Sequence, residues 1–207
     1  MPLHKILTIS EHQTVAIWKI DETLDEFLIA LDISKSDKQR LDGFKLERRK
    51  KEWLAARLLL QNLLGQYPEI VYGDNGKPRL AGYERYISIS HTANYAAVSI
   101  SNQPTALDIE ICSSRVEKVA NRFVHDSEWA YINEAEKPQY YTILWCAKEA
   151  LYKHYDVFGV IFKDQFVVKP FELKPTGALQ CEFLHEEVKH ELTLNFLIND
   201  DFTLVYC

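Results

Sequence analysis

Cysteine is scarce in this sequence. Cys112, Cys146, Cys181 and Cys207 stand far apart, with no C-x-x-C pair among them. That spacing excludes a zinc ribbon, and a disulfide framework is unusual in a chain of 207 residues. Each thiol reads as a small apolar residue in a reducing compartment. A basic excess is missing too: the formal net charge is −6, which argues against a nucleic-acid partner despite the local cluster Arg48-Arg49-Lys50-Lys51. No apolar run approaches the roughly 20 residues of a membrane span. The segment from Met1 to His12 lacks the apolar core of a signal peptide. Low-complexity segments and fixed-period repeats are also absent. The expectation is a cytoplasmic protein with no membrane partner.

What is present is an ordinary globular composition, 47% hydrophobic and 26% charged, long enough for one large domain or two small ones. Local patterning predicts a strand over 14–20 and helices over 21–31 and 34–41. A longer helix is predicted over 45–64, stopped by Gly65. Asp74-Asn75-Gly76-Lys77-Pro78 is a turn, because Asn-Gly tolerates positive φ and Pro78 ends the loop. Segments 86–90 and 95–101 read as paired strands, and Asn102-Gln103-Pro104 turns the chain into a third, 105–111. Helices are expected over 127–135 and 138–155, the latter with Pro138 in its first turn. Strands over 166–173, 179–183, 190–198 and 202–206 close the chain. The class is α+β with antiparallel hairpins, and a boundary is weakly marked near Gln103-Pro104.

Three signals carry chemistry. In Ala106-Leu107-Asp108-Ile109-Glu110, alternation puts Leu107, Ile109 and Ile111 on one face of a strand. Asp108 and Glu110 then share the other face with Ala106. Two such acids repel, and a hard dication such as Mg²⁺, which takes oxygen ligands, relieves them. The plainer account is a solvated strand face. In Trp145-Cys146-Ala147-Lys148-Glu149-Ala150-Leu151-Tyr152-Lys153, helical spacing makes Leu144, Ala147 and Leu151 the core stripe. Trp145, Glu149 and Lys153 fall on the other side, where Glu149 and Lys153 also suit a surface pair worth about 0.3–0.5 kcal/mol. Finally, Lys77 on its turn, and Ser90 and His91 at a strand end, suit charge-assisted bonds to phosphate; each singly also suits a solvated surface.

In this order the elements resemble the Sfp-type 4′-phosphopantetheinyl transferases. The matching segments are Gly76-Lys77-Pro78, Ser88-Ile89-Ser90-His91-Thr92, Thr105-Ala106-Leu107-Asp108-Ile109-Glu110, Arg122-Phe123 and the segment from Trp145 to Lys153. The helical segment 48–60 also looks like the family's N-terminal half. One departure is Ala106, where the family usually has glycine; its methyl would tighten the approach of a pyrophosphate.

The resemblance implies a pseudo-twofold pair of similar α/β halves, 1–104 and 105–207, with coenzyme A in the cleft between them. It implies Asp108, Glu110 and Glu149 as Mg²⁺ ligands and Glu149 and Lys153 as the catalytic pair. Lys77, Ser90, His91, Arg49 and Arg57 are implied as the groups that meet the phosphates of coenzyme A, with Arg48 another candidate for the 3′-phosphate. The partner implied is an apo acyl or peptidyl carrier protein, whose serine hydroxyl is the nucleophile, and the leaving group is 3′,5′-ADP. A single chain would complete the pseudo-dimer, so a monomer is expected. Two other readings stay open: an Mg²⁺-dependent nuclease, and a coenzyme A-binding module that has lost catalysis.

Overall fold

The computed structural model describes residues 3–207, with side chains from Lys5 onward. The chain divides into two units, Met1–Pro104 and Thr105–Cys207.

The first unit opens with strands β1 (Leu3–Ser10) and β2 (Gln13–Lys19), followed by helices α1 (Leu24–Ala30), α2 (Lys35–Asp42) and α3 (Glu47–Leu64). Thr23 starts α1 with a reciprocal cap: its side chain accepts from the Glu26 amide while Glu26 reaches back to the Thr23 amide. Ser34 caps α2 through the Asp37 amide. α3 ends where Gly65 takes φ 75° and donates to the Gln61 carbonyl at 2.8 Å. Strands β3 (Ile70–Tyr72), β4 (Pro78–Leu80), β5 (Tyr86–Thr92) and β6 (Tyr95–Ser101) complete a six-stranded sheet in the order β1-β2-β6-β5-β4-β3. All of its pairings are antiparallel. α3 lies against β6 and β2. Phe27, Leu54, Leu59 and Leu60 of the helices and Ala16, Trp18 and Val98 of the sheet fill this core.

In the second unit, β7 (Leu107–Glu110) pairs with the last strand, β11 (Thr203–Tyr206), so that Asp108 faces Val205 and Glu110 faces Thr203. The sheet runs β7-β11-β10-β9-β8, with β8 Phe166–Val168, β9 Thr176–His185 and β10 Val188–Ile198. Between β7 and β8 lie α4 (Ser114–Val119), α5 (Lys137–Tyr155) and the short α6 (Phe162–Gln165). α5 packs on β7 and β11, burying Ile143, Leu144, Ala147, Ala150 and Leu151 against Leu179, Leu194, Phe196 and Val205. The architecture is therefore α+β, two antiparallel sheets with helices.

Two expectations are corrected. Segment 127–135 is not one helix but two 3₁₀ turns, Glu128–Tyr131 and Glu134–Glu136. Glu128 is drawn fully inside to accept from the amides of His125 and Val168. Asn133 then leaves the helical path and caps the second turn through the Ala135 amide. The strand expected over 166–173 stops at Val168; Lys169 still donates to the Gln180 carbonyl, but Pro170 has no amide to continue the ladder.

Candidate active site

The acidic cluster is assembled inside the second unit by the packing of α5 on β7. Inward alternation of Leu107 and Ile109 forces Asp108 to the opposite face. That face is covered, so Asp108 is only 5% exposed and the solvated-strand account fails. Lys153, near the C-terminal end of α5, reaches across and donates to Asp108 Oδ1 at 2.7 Å and to the Leu107 carbonyl at 3.0 Å. One turn earlier, Glu149 is half-buried. Burial and then the Asp108 carboxylate push the Glu149 carboxyl up to about 7, with Lys153 opposing and Glu110 adding to the rise. The buried Cys146 thiol is also held well above its usual range, by burial first and by Asp108 and Glu110 after it. Three acids from β7 and α5 thus share one electrostatic neighbourhood.

That neighbourhood fits a small hard dication. Its donors are carboxylate oxygens, and the rise that burial causes at Glu149 is increased by the Asp108 and Glu110 carboxylates, a crowding that a cation would relieve. Among the described residues, no three His, Cys, Asp or Glu side chains are already gathered as a metal cage. Mg²⁺ commonly takes one or two carboxylates and completes its octahedron with water and phosphate oxygens.

Ala106 does not stand open beside the acids. It is fully buried in the core that α5 forms with the sheet, and its carbonyl accepts from the Cys207 amide at 3.0 Å. Trp145 sits at the rim of the same core, edge-on to Phe123 at 5.2 Å. Lys148, three residues after Trp145 on α5, had no role in the sequence reading. It is fully buried, and its ammonium donates to Glu128 Oε2 at 2.9 Å and to the Phe166 carbonyl at 2.8 Å. Burial lowers its pKa, against the pull of Glu128. It fastens α5 to the segments around it.

The first unit brings together a different set. Glu52 on α3 is 1% exposed and collects Arg48 at 3.1 Å, Arg49 at 3.3 Å and His91 at 3.1 Å. Arg49 also contacts the His91 ring directly. Arg49, Glu52 and His91 border a pocket of about 180 Å³ whose other walls include Trp53, Tyr72, Gly76 and Ile89. Glu52 was missed because an acid inside a basic segment looks like one more i, i+4 surface partner; only its burial reveals it as the hub. Ser90, next to His91 on β5, is buried.

Two further expected phosphate ligands lie near this set. Arg57 also borders the pocket but is 1% exposed, with its guanidinium on Asp37 at 3.0 and 3.3 Å and stacked 3.2 Å from the Trp53 ring centroid. Tyr67 adds a hydroxyl to the same carboxylate at 2.6 Å. This placement commits the Arg57 guanidinium to a buried ion pair at the edge of the pocket. Lys77 lines a neighbouring groove that shares Pro78 with the pocket.

The family model described as the 4′-phosphopantetheinyl transferase superfamily matches residues 104–207, the part that contains the acids, Lys148 and Lys153. The chain belongs to that superfamily. Among its relatives is the 4′-phosphopantetheinyl transferase AcpT of Salmonella typhimurium, 34% identical over 113 residues, 51% of this chain and 58% of the relative. AcpT of Escherichia coli K12 is 31% identical over 112 residues, 51% and 57% of the two chains. The 4′-phosphopantetheinyl transferase gsp of Aneurinibacillus migulanus is 31% identical over 107 residues, 49% and 45%. The chain spans about half the length of these curated relatives. Among the described residues no helix is long and apolar enough to cross a membrane.

Proposed function

We propose that this protein transfers the 4′-phosphopantetheine group of coenzyme A to a serine hydroxyl of an acyl or peptidyl carrier protein, with Mg²⁺, releasing 3′,5′-ADP. The observation that carries the proposal is the neighbourhood of Asp108, Glu110 and Glu149 with Lys153 on β7 and α5, in a chain of this superfamily. In this reading Asp108, Glu110 and Glu149 hold the cation. Mg²⁺, when bound, would neutralise the pyrophosphate and stabilise charge on the transferred phosphoryl group.

The chain's own groups do the rest. Glu149 takes the proton of the attacking serine hydroxyl in this reading, and the cation beside it would hold its carboxyl ionised and able to accept. Lys153 holds Asp108 and stands ready for a phosphate oxygen. Arg49 and His91, tethered by Glu52, receive a phosphate of coenzyme A, with Ser90 beside them and Lys77 one residue from the shared Pro78. Units 1–104 and 105–207 act as the two halves of one monomeric, cytoplasmic enzyme that serves neither nucleic acid nor membrane.

The test is to incubate the protein with coenzyme A, Mg²⁺ and a panel of apo carrier proteins, reading intact mass. A phosphopantetheine mass gain on at least one carrier, dependent on Mg²⁺, is expected. No gain on any carrier, together with nicking of plasmid DNA in the same buffer, would transfer the acids to a nuclease. Coenzyme A binding without any mass gain would leave a binding module.

A further inference from the structure

Glu52 is a buried acid in the wall of the Arg49–His91 pocket. Its Oε2 meets Arg49 Nη1 at 3.3 Å and His91 Nδ1 at 3.1 Å. Its Oε1 lies 3.1 Å from Arg48 Nε, yet among the described residues no aligned hydrogen bond reaches that oxygen. A carboxylate removed from water and held mainly by charge depends on keeping its partners in place. Its position therefore governs the two groups that share Oε2.

Those partners fix the protonation of His91. A carboxylate only accepts, so Nδ1, which faces Glu52, carries the ring proton. A guanidinium only donates, so Nε2, which meets Arg49 Nη1, is the acceptor. The imidazole is thus neutral, and Arg48, Arg49 and Glu52, two cations and one anion, leave a single positive charge. Among the described residues of the first unit, the other titratable walls are Arg57, neutralised by Asp37, and Tyr72. Ala96, opposite His91 on β6, adds no charge. A phosphate dianion alters this balance. It competes with Nε2 for the Arg49 guanidinium, and a bare Nε2 would then set its lone pair against a phosphate oxygen. A proton gained at Nε2 makes it a donor, and the Glu52 carboxylate on the other ring nitrogen supports the imidazolium.

We infer that Glu52 is a positioning residue that makes phosphate binding in this pocket proton-linked. Arg49 turns from His91 to the anion, and His91 takes one proton from solvent onto Nε2 while its Nδ1–H stays on Glu52. The inference rests on the transferase reading for the ligand, a phosphate monoester of coenzyme A. Affinity is then greatest where solvent readily supplies the proton, and it falls as pH rises.

The test is calorimetric titration of the whole chain with 3′,5′-ADP in Tris and in PIPES, whose different ionisation heats reveal the protons exchanged. Mg²⁺ is omitted to keep the acids of β7 and α5 out of that count. The parent should take up about one proton, and its Kd should rise by up to about 10-fold per pH unit between about pH 7 and 8.5. His91→Gln, which keeps a donor that does not titrate, should bind without uptake. Glu52→Gln should lose most of the uptake and flatten the pH profile, whereas Glu52→Asp, which keeps the charge, should retain both. Equal heats in the two buffers for the parent overturn the inference, as does full uptake in Glu52→Gln or His91→Gln. Failure of 3′,5′-ADP to bind also overturns it, while a phosphopantetheine mass gain on a carrier would still uphold the transferase reading. If binding is proton-linked through Glu52 but no carrier is modified, the transferase reading falls and the inference stands.

Discussion

The ammonium of Lys153 lies 2.7 Å from Oδ1 of Asp108, a carboxylate almost wholly removed from water. The pair joins the last turns of α5 to β7 and supplies positive charge to a pocket of acids. A buried carboxylate stripped of its cation loses both Coulombic and hydrogen-bonding support. Lys153→Met should therefore destabilise the protein by about 1–3 kcal/mol. Because a dication can meet the same charge, millimolar Mg²⁺ should raise the melting midpoint of the variant more than that of the parent. Differential scanning fluorimetry with and without Mg²⁺ checks this; equal responses would detach Lys153 from the cation site.

Glu149 makes stability depend on pH in a definite direction. Its carboxyl sits near 7 in the folded protein against an ordinary 4.5, so the folded state keeps a proton that the unfolded chain has released. The associated stability is fully present below about 4.5 and is lost as pH rises through about 7. Glu149→Gln removes that loss. The variant should be more stable than the parent at pH 8, by an amount on the order of 2 kcal/mol after solvent screening, with the advantage gone near pH 4. Urea melts across that range are the measurement, and a difference independent of pH would contradict the assignment.

How much of this was legible in the sequence varies by residue, for physical reasons. The long helices and the β5–β6 hairpin were readable because each carries its own periodicity and stop signal, as Gly65 does for α3. The three-residue strands β3 and β4 were not, since each is too short to show alternation; what could be read was the turn they flank, where Gly76 takes φ 79°. β1 was passed over because its alternation is broken by residues such as the exposed Ile6. Asp108 and Glu149 stood out as motif members, yet their coupling depends on α5 packing over β7, which no local window contains. Glu52 and Lys148 were invisible because a charged residue in sequence looks solvated until its burial is known.

The contrast between two arginines on α3 gives a separable prediction. Arg49 is 45% exposed at the mouth of its pocket, whereas Arg57 is 1% exposed and committed to Asp37. Arg49→Met should leave the melting midpoint within a degree or two and weaken 3′,5′-ADP about 10-fold, the usual scale for one charge-assisted contact. Arg57→Met should instead cost about 3–5 kcal/mol by leaving the buried Asp37 carboxylate without its cation, with the Tyr67 hydroxyl still donating to it. Calorimetric titration and urea melts on both variants separate the roles. Loss of nucleotide affinity in a fully stable Arg57→Met protein would return Arg57 to the phosphate site.

Lys148 and Glu128 are both fully buried, 2.9 Å apart, and Glu128 also holds the amides of His125 and Val168. Removing one member leaves the other charged or forces it to change protonation inside the core, whereas removing both charges leaves neither problem. Lys148→Met alone should therefore cost about 3–5 kcal/mol. Adding Glu128→Gln should recover part of the loss, because the amide oxygen can still accept from Val168 while no charge remains buried. The double-mutant cycle should give a coupling of about 1–3 kcal/mol. If the two losses simply add, the pair contributes as two independent packing residues, and Lys148 does not hold α5 in place through Glu128.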